Sequence, residues 1–303
     1  MTGHRLIAVD WGTSNFRAFL VDRKTGECLD SRRSEAGLRA LSADEFPHYC
    51  AAQLRDWRDG GRVPVYLAGM VGSARGWCEA PQLETPAGLE DLAGQLVPAP
   101  GLDQAWIVPG LKTLGDDHLD VMRGEEIQAF GALALQGTTR AVCCLPGTHS
   151  KWARLARGRL VGFTTMMTGE LYHAVRYHTL VGEPSRGREG IDEGGFRQGL
   201  AAARHPAGLL HALFEARSRH LHGGLGAESV AGFLSGVLIG SEVLARLGRD
   251  EDEVILVGSP SLNTLYRLAL EAHEVPVIEV DSDRATLAGI VALAERHETG
   301  RKP

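Results

Sequence analysis

Two short polar loops carry the residues whose types could do chemistry. Each follows an apolar run, and the members are Asp10, Gly12, Thr13, Ser14 and Asn15 in the first loop and Gly147, Thr148, His149 and, slightly further on, Lys151 in the second. Glycine lets a ligand approach the backbone closely, and threonine and serine add hydroxyls, so such loops can surround phosphate oxygens with donors. Because Asp10 would repel a phosphate unless a divalent cation intervened, its position indicates an outer ligand of Mg²⁺.

An ordinary hairpin bend would explain the first loop equally well, since Asp, Gly, Ser and Asn are the common turn residues. The second loop, however, repeats the pattern of apolar strand, Gly-Thr pair, polar position and returning strand. Gly12 and Gly147 are separated by about the length of a domain. The repeat therefore favours two related halves whose loops face one cleft.

The surrounding pattern is that of an α/β protein. The predicted elements are strands over 6–9, 16–21, 63–67, 141–145, 151–155, 254–257 and 275–280, and helices over 125–136, 262–272 and 284–296. Gly137 is the predicted stop of the first of these helices. Further along, Gly232, Gly236 and Gly240 recur once per helical turn, which predicts a buried helix that approaches another helix closely.

Composition and charge exclude several classes of function. The 303 residues include 32 Lys and Arg against 38 Asp and Glu, a net charge of -6 without a basic run, so nucleic acid is not an expected partner. No secretory signal and no uninterrupted apolar stretch of roughly 18 residues occurs, which predicts a cytoplasmic protein without a membrane partner. Five cysteines without CxxC spacing predict reduced thiols. A homodimer is one option that the sequence leaves open.

Five sequence blocks resemble one family. They are VDWGTSNFRAFLVD, AGMVGSARGW, MRGEE, LPGTHSKW and MTGEL, and a later VGSP turn extends the match almost to the end of the chain. The blocks resemble the 2-dehydro-3-deoxygalactonokinase family of the sugar kinase, Hsp70 and actin superfamily. The resemblance implies an α/β fold of two ribonuclease-H-like (actin-like ATPase) domains, with mixed sheets flanked by helices and an active site in the interdomain cleft.

The same resemblance implies a domain boundary. The expected domains are 1–137, with the sugar-acid site, and 138–303, with the nucleotide site. The last helix, about 284–297, could pack back near the first domain.

The resemblance also implies a reaction. The family transfers the γ-phosphoryl group of ATP, with Mg²⁺, to the 6-hydroxyl of 2-dehydro-3-deoxy-D-galactonate, so we expect a sugar-acid kinase of galactonate catabolism. Nucleotide contacts are expected at Gly12, Thr13, Ser14, Asn15, Gly147, Thr148, His149, Lys151, Gly258 and Ser259, the last two beneath the adenine. Sugar-acid contacts are expected at Gly69, Met70, Gly72, Ser73, Arg75, Trp77, Thr168, Gly169 and Glu170.

The expected catalytic residues are Asp10, Glu125 and Glu126. The two glutamates are the candidates for the base that accepts the hydroxyl proton, by resemblance to a Gly-Glu-Glu at a helix start in exopolyphosphatases of the superfamily. Other sugar kinases carry an aspartate base in a different loop, for which Asp120 is a substitute here. The helix dipole alone stabilises glutamates in a first turn, by about 0.3–1 kcal/mol each, so a purely structural role stays open.

Two alternative activities use the same loops. A phosphohydrolase of the exopolyphosphatase type would employ water as the acceptor in place of a sugar hydroxyl. A kinase for the gluconate epimer would differ only in the configuration of one substrate hydroxyl. P-loop, Rossmann and serine-hydrolase functions lose their main support, since the chain has no Gly-Lys pair, GxGxxG or GxSxG.

Overall fold

A computed structural model describes residues 4–115, 118–247 and 253–300. The strands are β1 (Arg5–Trp11), β2 (Phe16–Asp22), β3 (Cys28–Ser34), β4 (Val65–Gly69), β5 (Gln82–Glu84), β6 (Ala87–Gly88), β7 (Val97–Pro98), β8 (Ala105–Ile107), β9 (Gly110–Gly115), β10 (His118–Met122), β11 (Ala141–Leu145), β12 (Ser150–Ala156), β13 (Arg159–Met166), β14 (Val254–Gly258) and β15 (Val277–Asp281). The α-helices are α1 (Glu45–Leu54), α2 (Leu89–Gly94), α3 (Glu125–Gln136), α4 (Thr168–His178), α5 (Glu193–Ala202), α6 (Leu209–Leu221), α7 (Val230–Arg246), α8 (Pro260–Glu271) and α9 (Ser282–Thr299).

The residues group by contact into two units. The first unit comprises Met1–Cys143, Ala153–Thr164 and Val280–Pro303, and the second comprises Cys144–Trp152 and Thr165–Glu279. The first polar loop belongs to the first unit and the second loop to the second unit. The two contiguous domains expected from the sequence, 1–137 and 138–303, stay a prediction.

One six-stranded sheet has the order β3-β2-β1-β4-β8-β7. The first strands form an antiparallel meander, and β4 pairs with β1 in parallel. In that pairing Asp10 lies opposite Ala68, and Trp11 lies opposite Gly69. The loops that follow β1 and β4 therefore leave the sheet at the same edge, which is where open α/β sheets bind ligands.

A second six-stranded sheet has the order β15-β14-β11-β12-β13-β6. It repeats the plan of the first: three consecutive strands lie side by side, and a later strand joins the first of the three. The hairpins around the two polar loops, β1–β2 and β11–β12, occupy equivalent positions in the two orders. A third, smaller sheet has the order β10-β9-β5.

Local sequence signals account for the boundaries of several elements. Helix α3 covers the predicted residues 125–136, and Gly137 ends it in the left-handed conformation with a φ of 61°. Strand β4 begins two residues later than predicted, because Pro64 has no N–H to donate to the sheet. Helix α8 begins two residues earlier than predicted, since Ser259 caps it and Pro260 fits its first turn.

The apolar core of the first unit surrounds Trp11, whose ring packs edge-on against Phe16 and Phe46. Helix α9 belongs to the same unit and approaches α3 closely. In the second unit α7 packs on α5 through Gly232, Gly236 and Gly240, as predicted.

All five cysteines are free thiols. No helix in the described ranges is both long and apolar enough to cross a membrane.

Candidate functional site

The first polar loop joins β1 to β2 in the first unit. Its ends are closed by a hydrogen bond from the Gly12 N–H to the Asn15 carbonyl, 2.9 Å. Thr13 is half-buried, whereas Ser14 and Asn15 are exposed. Within the described parts of the chain, the backbone N–H groups of Thr13 and Ser14 donate to no acceptor. These free donors can bind an anion such as a phosphate.

Asp10 lies beside this loop at the end of β1. Its carboxylate contacts the Arg17 guanidinium, which also donates to Asp283 of α9 at 2.7 Å. Burial raises the pKa of Asp10 above its usual value, and Arg17 only partly opposes the rise. Arg17 thus offsets only part of the cost of burying this carboxylate, and a carboxylate oxygen in such a place can serve as a ligand of a hard divalent cation. Sequence analysis left Arg17 unassigned, and its contacts identify it as the partner of Asp10.

The loop after β4 contains the residues expected to bind the sugar acid. Gly69 ends the strand, a short 3-10 turn covers Met70–Gly72, and the Ser73 hydroxyl is buried without a hydrogen-bond partner among the described residues. Arg75 is exposed. Trp77, in contrast, packs in the core beside Trp11 and donates its indole N–H to the Pro100 carbonyl, 3.1 Å. These contacts give Trp77 a structural role.

Arg123, which sequence analysis did not select, borders this loop. It donates to the Ala80 carbonyl at 2.8 Å, while its Nη1 atom is buried and has no partner in the described ranges. A side chain added at Gly72 would meet Nη1 at 2.9 Å. Burial lowers the pKa of Arg123. The sequence signal that could have selected Arg123 was its position in the MRGEE block, directly before the predicted helix.

Glu125 and Glu126 form the first turn of α3. Glu126 is fully buried, and its two carboxylate oxygens both accept from the Gly124 N–H at 2.8 Å. Glu125 is half-buried and accepts from the Arg123 N–H at 3.1 Å. Asp120, the substitute base, lies on β10 and is also half-buried. Of the two glutamates, only Glu125 exposes part of its side chain to a ligand.

Burial raises the pKa of Glu126 to about 8, and the neighbouring Glu125 charge adds to the rise. A carboxyl with a raised native pKa holds its proton more tightly in the native than in the unfolded chain. The free energy of unfolding should therefore fall as the pH rises from about 4.5 to about 8, by about 1.4 kcal/mol per pH unit. Glu126→Gln should lack this decline. Urea unfolding of wild type and Glu126→Gln at pH 5 and pH 8 measures this decline. An equal change in the free energy of unfolding in the two proteins would contradict the burial of an ionisable Glu126.

The second polar loop joins β11 to β12, and α4 holds it within the second unit. The Glu170 N–H donates to the Thr148 carbonyl at 2.9 Å, and the Glu170 carboxylate lies 2.6 Å from His149 Nε2. Gly169 packs behind the loop. Thr148 and His149 are exposed on the other side. The structure thus connects two of the expected sugar-acid residues, Gly169 and Glu170, to the loop expected to bind phosphate.

A buried glutamate that sequence analysis missed organises the residues beneath this loop. Glu242 of α7 is 4% exposed and accepts hydrogen bonds from four donors. The donors are Trp152 Nε1 at 2.7 Å, Tyr266 OH at 2.8 Å, Ser150 Oγ at 3.2 Å and the Thr168 hydroxyl. Burial raises the pKa of Glu242, although the four donors oppose the rise. The only sequence signal was a charged residue inside an apolar helix.

Lys151 follows the second loop on β12. It is buried, 6% exposed, and its Nζ donates to Thr165 Oγ1 at 2.8 Å. In the structure Lys151 therefore contacts the neighbouring strand β13 through this hydrogen bond.

A cavity of about 290 Å³ opens in the second unit between the second loop, α4, α7 and α8. Its polar lining includes Thr168, Arg176, Ser235 and Ser261, and its apolar lining includes Leu262 and Leu265. The volume lies near the lower end of the range for small-molecule sites, about 300–1,000 Å³. Gly258 is buried at the end of β14, and Ser259 caps α8. Neither of them lines the cavity, which lies alongside the following turns of α8.

The expected site residues are divided between the two units. The first unit holds Asp10, the first loop, the Gly69–Trp77 segment and the two glutamates. The second unit holds the second loop, Thr168, Gly169, Glu170, Gly258 and Ser259.

Comparison with known proteins gives one consistent family. The family model described as DGOK, 2-keto-3-deoxy-galactonokinase, matches residues 10–293. The 2-dehydro-3-deoxygalactonokinase of Escherichia coli (strain K12) is 40% identical over 96% of this chain and 97% of the relative. A crystal structure of a Sinorhizobium meliloti protein assigned as a 2-dehydro-3-deoxygalactonokinase superposes with a TM-score of 0.88 at 39% identity, covering 96% of this chain and 98% of that one.

A more distant structure bears on the fold alone. The component A of (R)-2-hydroxyglutaryl-CoA dehydratase from Acidaminococcus fermentans has a TM-score of 0.53 at 11% identity, over 98% of this chain and all of that one. The fold is the expected one of two ribonuclease-H-like, actin-like ATPase domains with mixed sheets flanked by helices. By the reach of the family model and by its identity to the Escherichia coli enzyme, the chain belongs to the 2-keto-3-deoxy-galactonokinase family.

Proposed function

We propose that the chain is an ATP-dependent kinase that phosphorylates the 6-hydroxyl of 2-dehydro-3-deoxy-D-galactonate in galactonate catabolism. The observation that carries the proposal is the 40% identity to the Escherichia coli enzyme over nearly the full length of both chains. The two polar loops support it, since phosphoryl transfer depends on positioning the phosphates and on neutralising their charge, and loops of glycine, threonine and serine can supply the donors.

Both loops are proposed to contact the phosphates of the nucleotide. In the first unit the donors would be the backbone N–H groups and hydroxyls of Thr13 and Ser14, and in the second unit those of Thr148. Asp10 would hold Mg²⁺ through bound water, and the ion would neutralise phosphate charge when present. Arg17 keeps the Asp10 carboxylate oriented through their direct contact.

The sugar acid is proposed to bind in the first unit. Its carboxylate needs an Arg or backbone N–H groups, for which Arg75 and the partnerless Nη1 of Arg123 are the candidates. The buried Ser73 hydroxyl can bond a substrate oxygen. Glu125 is the favoured base, because its side chain is partly exposed whereas Glu126 is fully buried. Glu126 would then have an indirect role. Its buried carboxyl has a pKa raised to about 8 and lies next to Glu125 in the first turn of α3.

The nucleoside is proposed to occupy the cavity along α8. Thr168 and Gly169, expected from the sequence to contact the sugar acid, line that cavity and are reassigned to the nucleotide. Leu262 and Leu265 offer apolar surface for the base, and Ser235 and Ser261 offer hydroxyls. Gly258 and Ser259 keep a role in shaping the start of α8.

A glycine packs behind each loop, and these two positions test the phosphate assignment. A Cβ at Gly37 would lie 2.4 Å from the Ser14 backbone, and one at Gly169 would lie 2.4 Å from the Gly147 carbonyl oxygen. Either alanine substitution must push its loop away, at a cost of about 1–3 kcal/mol. We expect Gly37→Ala and Gly169→Ala each to raise the KM for ATP about tenfold or more. The control is Gly94→Ala, where an added Cβ meets nothing within 4 Å; an unchanged KM in both loop variants would remove the loops from nucleotide binding.

The activity is tested by supplying purified protein with ATP, Mg²⁺ and each of the two epimeric 2-keto-3-deoxy acids. We expect ADP and a 6-phosphorylated product with the galactonate-derived acid, and little ATP consumption without an acceptor. Equal ATP hydrolysis without the acid would instead indicate a phosphohydrolase, and faster turnover of the gluconate epimer would change the substrate. A homodimer and a cytoplasmic location stay predictions.

A further inference from the structure

In the second unit, two imidazoles and one carboxylate form a cluster that includes none of the expected site residues. His205 lies in the turn before α6, and His211 and Glu215 lie one helical turn apart on α6. Each side chain offers one ligand atom, and the three atoms lie within 4.8 Å of one another. We propose that these three residues bind a divalent transition-metal ion of the Zn²⁺ and Co²⁺ class.

The separation of two of the ligand atoms already suits a metal ion. His211 Nε2 and Glu215 Oε1 are 3.3 Å apart. Two atoms that each lie about 2.0 Å from a tetrahedral ion are about 3.3 Å apart. Because residues four apart share one side of a helix, the α6 backbone maintains this spacing.

The carboxylate is oriented for this role. Arg219 donates through Nε to Glu215 Oε2 at 2.7 Å, so the other oxygen, Oε1, is the one directed toward His211. An outer partner of this kind fixes a ligating carboxylate in metal sites. The Glu215 side chain is only 16% exposed, whereas that of His211 is 49% exposed. The imidazole can therefore adjust while the carboxylate stays in position.

His205 requires a modest rearrangement. Its ring centre lies 4.4 Å from that of His211, and its Nδ1 accepts the Ala207 N–H at 3.1 Å. Binding an ion through Nε2 would move the imidazole proton to Nδ1 and break that bond. Ala207 is exposed, so its N–H can donate to water instead. The adjacent Arg204 donates to the Ala272 carbonyl, which directs its charge elsewhere.

The ligand types select the ion. Imidazole nitrogen with a single carboxylate favours zinc, cobalt, nickel or copper, whereas Mg²⁺ prefers oxygen ligands. The site therefore differs in chemistry from the Mg²⁺ site proposed at Asp10, and it does not depend on the proposed function. Three protein ligands leave a coordination position for water, and the bound ion would tie the turn before α6 to the helix.

The test uses the full chain without a histidine tag. Equilibrium dialysis against CoCl₂ should give one Co²⁺ per chain, with a visible absorption spectrum of tetrahedral cobalt, and excess Mg²⁺ should not displace the ion. His211→Ala and His205→Ala should each weaken binding at least about tenfold. A matched control is His178→Ala, which removes another exposed imidazole beside a second histidine, His173, at 5.7 Å between ring centres.

Three outcomes would overturn the proposal. They are a stoichiometry well below one, equal affinity in wild type and His211→Ala, and an equal loss in His178→Ala, which would indicate general binding to surface histidines. Circular dichroism of each variant separates loss of the site from loss of the fold.

Discussion

Asp10→Asn is expected to lower kcat for sugar-acid phosphorylation by about 10²–10³-fold while changing the Tm little. Asparagine keeps the shape of the side chain and an oxygen that can accept from Arg17. It removes the negative charge that would hold Mg²⁺. Arg17 retains its bond to Asp283 at 2.7 Å, so the substitution leaves no guanidinium without a partner.

The matched control is Asp22→Asn at the other end of the same hairpin. Asp22 lies opposite Arg5 in the β1–β2 register and accepts from the N–H groups of Lys24 and Thr25. It should leave kcat unchanged. Initial rates across a Mg²⁺ titration separate a weakened metal site from a slowed chemical step. Initial rates of Asp10→Asn close to wild type at every Mg²⁺ concentration would refute the assignment of this carboxylate.

Glu242→Leu is expected to lower the free energy of unfolding by about 3–5 kcal/mol. The substitution removes the acceptor of four donors. The buried Trp152 indole N–H cannot accept a bond in exchange, whereas the Ser150 and Tyr266 hydroxyls keep the bond between them at 2.7 Å. Glu242→Gln should cost far less. Its amide oxygen can accept from Trp152, and its NH₂ group can donate to hydroxyls that rotate to receive it.

The difference in the free energy of unfolding between wild type and Glu242→Gln should depend on pH. Because burial raises the pKa of Glu242, the cost of keeping it folded grows as the pH rises, so Glu242→Gln should approach wild type more closely at higher pH. Urea unfolding measures the free energy of unfolding of both variants. The control is Glu189→Leu, because Glu189 is exposed and lies in the same unit. A loss below about 1 kcal/mol in Glu242→Leu would mean that the four hydrogen bonds contribute little.

Much of the fold was predictable because its signals are local. The two hairpins follow from apolar runs around Gly-Thr loops, and α3 follows from apolar spacing that ends at a glycine. The observed start differs from the predicted one at β4, because Pro64 has no N–H to donate, and at α8, because Ser259 caps the helix. The resemblance implied mixed sheets, but the order of the strands was not predicted, since pairing between distant strands leaves no mark in a short window.

The site was less predictable, because roles depend on which distant residues meet. Glu242 serves four donors from three separate segments, and no local pattern predicts that. Gly37 was overlooked because its neighbour, the Ser14 backbone, is far away in sequence. Trp77 was assigned to the sugar acid by its motif, whereas tertiary contacts bury its ring beside Trp11. The motifs select the candidate segments, and tertiary packing then separates residues that can contact a ligand from residues that support the fold.

The membership of α9 in the first unit has a consequence for biogenesis. A Cβ at Gly131 of α3 would lie 1.8 Å from the Ala285 carbonyl oxygen, so the two helices pack almost backbone to backbone. As the nascent chain leaves the ribosome, α3 emerges well before this companion, and the whole second unit is translated in between. During that interval α3 lacks the helix against which Gly131 packs in the folded protein, so this side of the first unit can be completed only after the second unit has been translated.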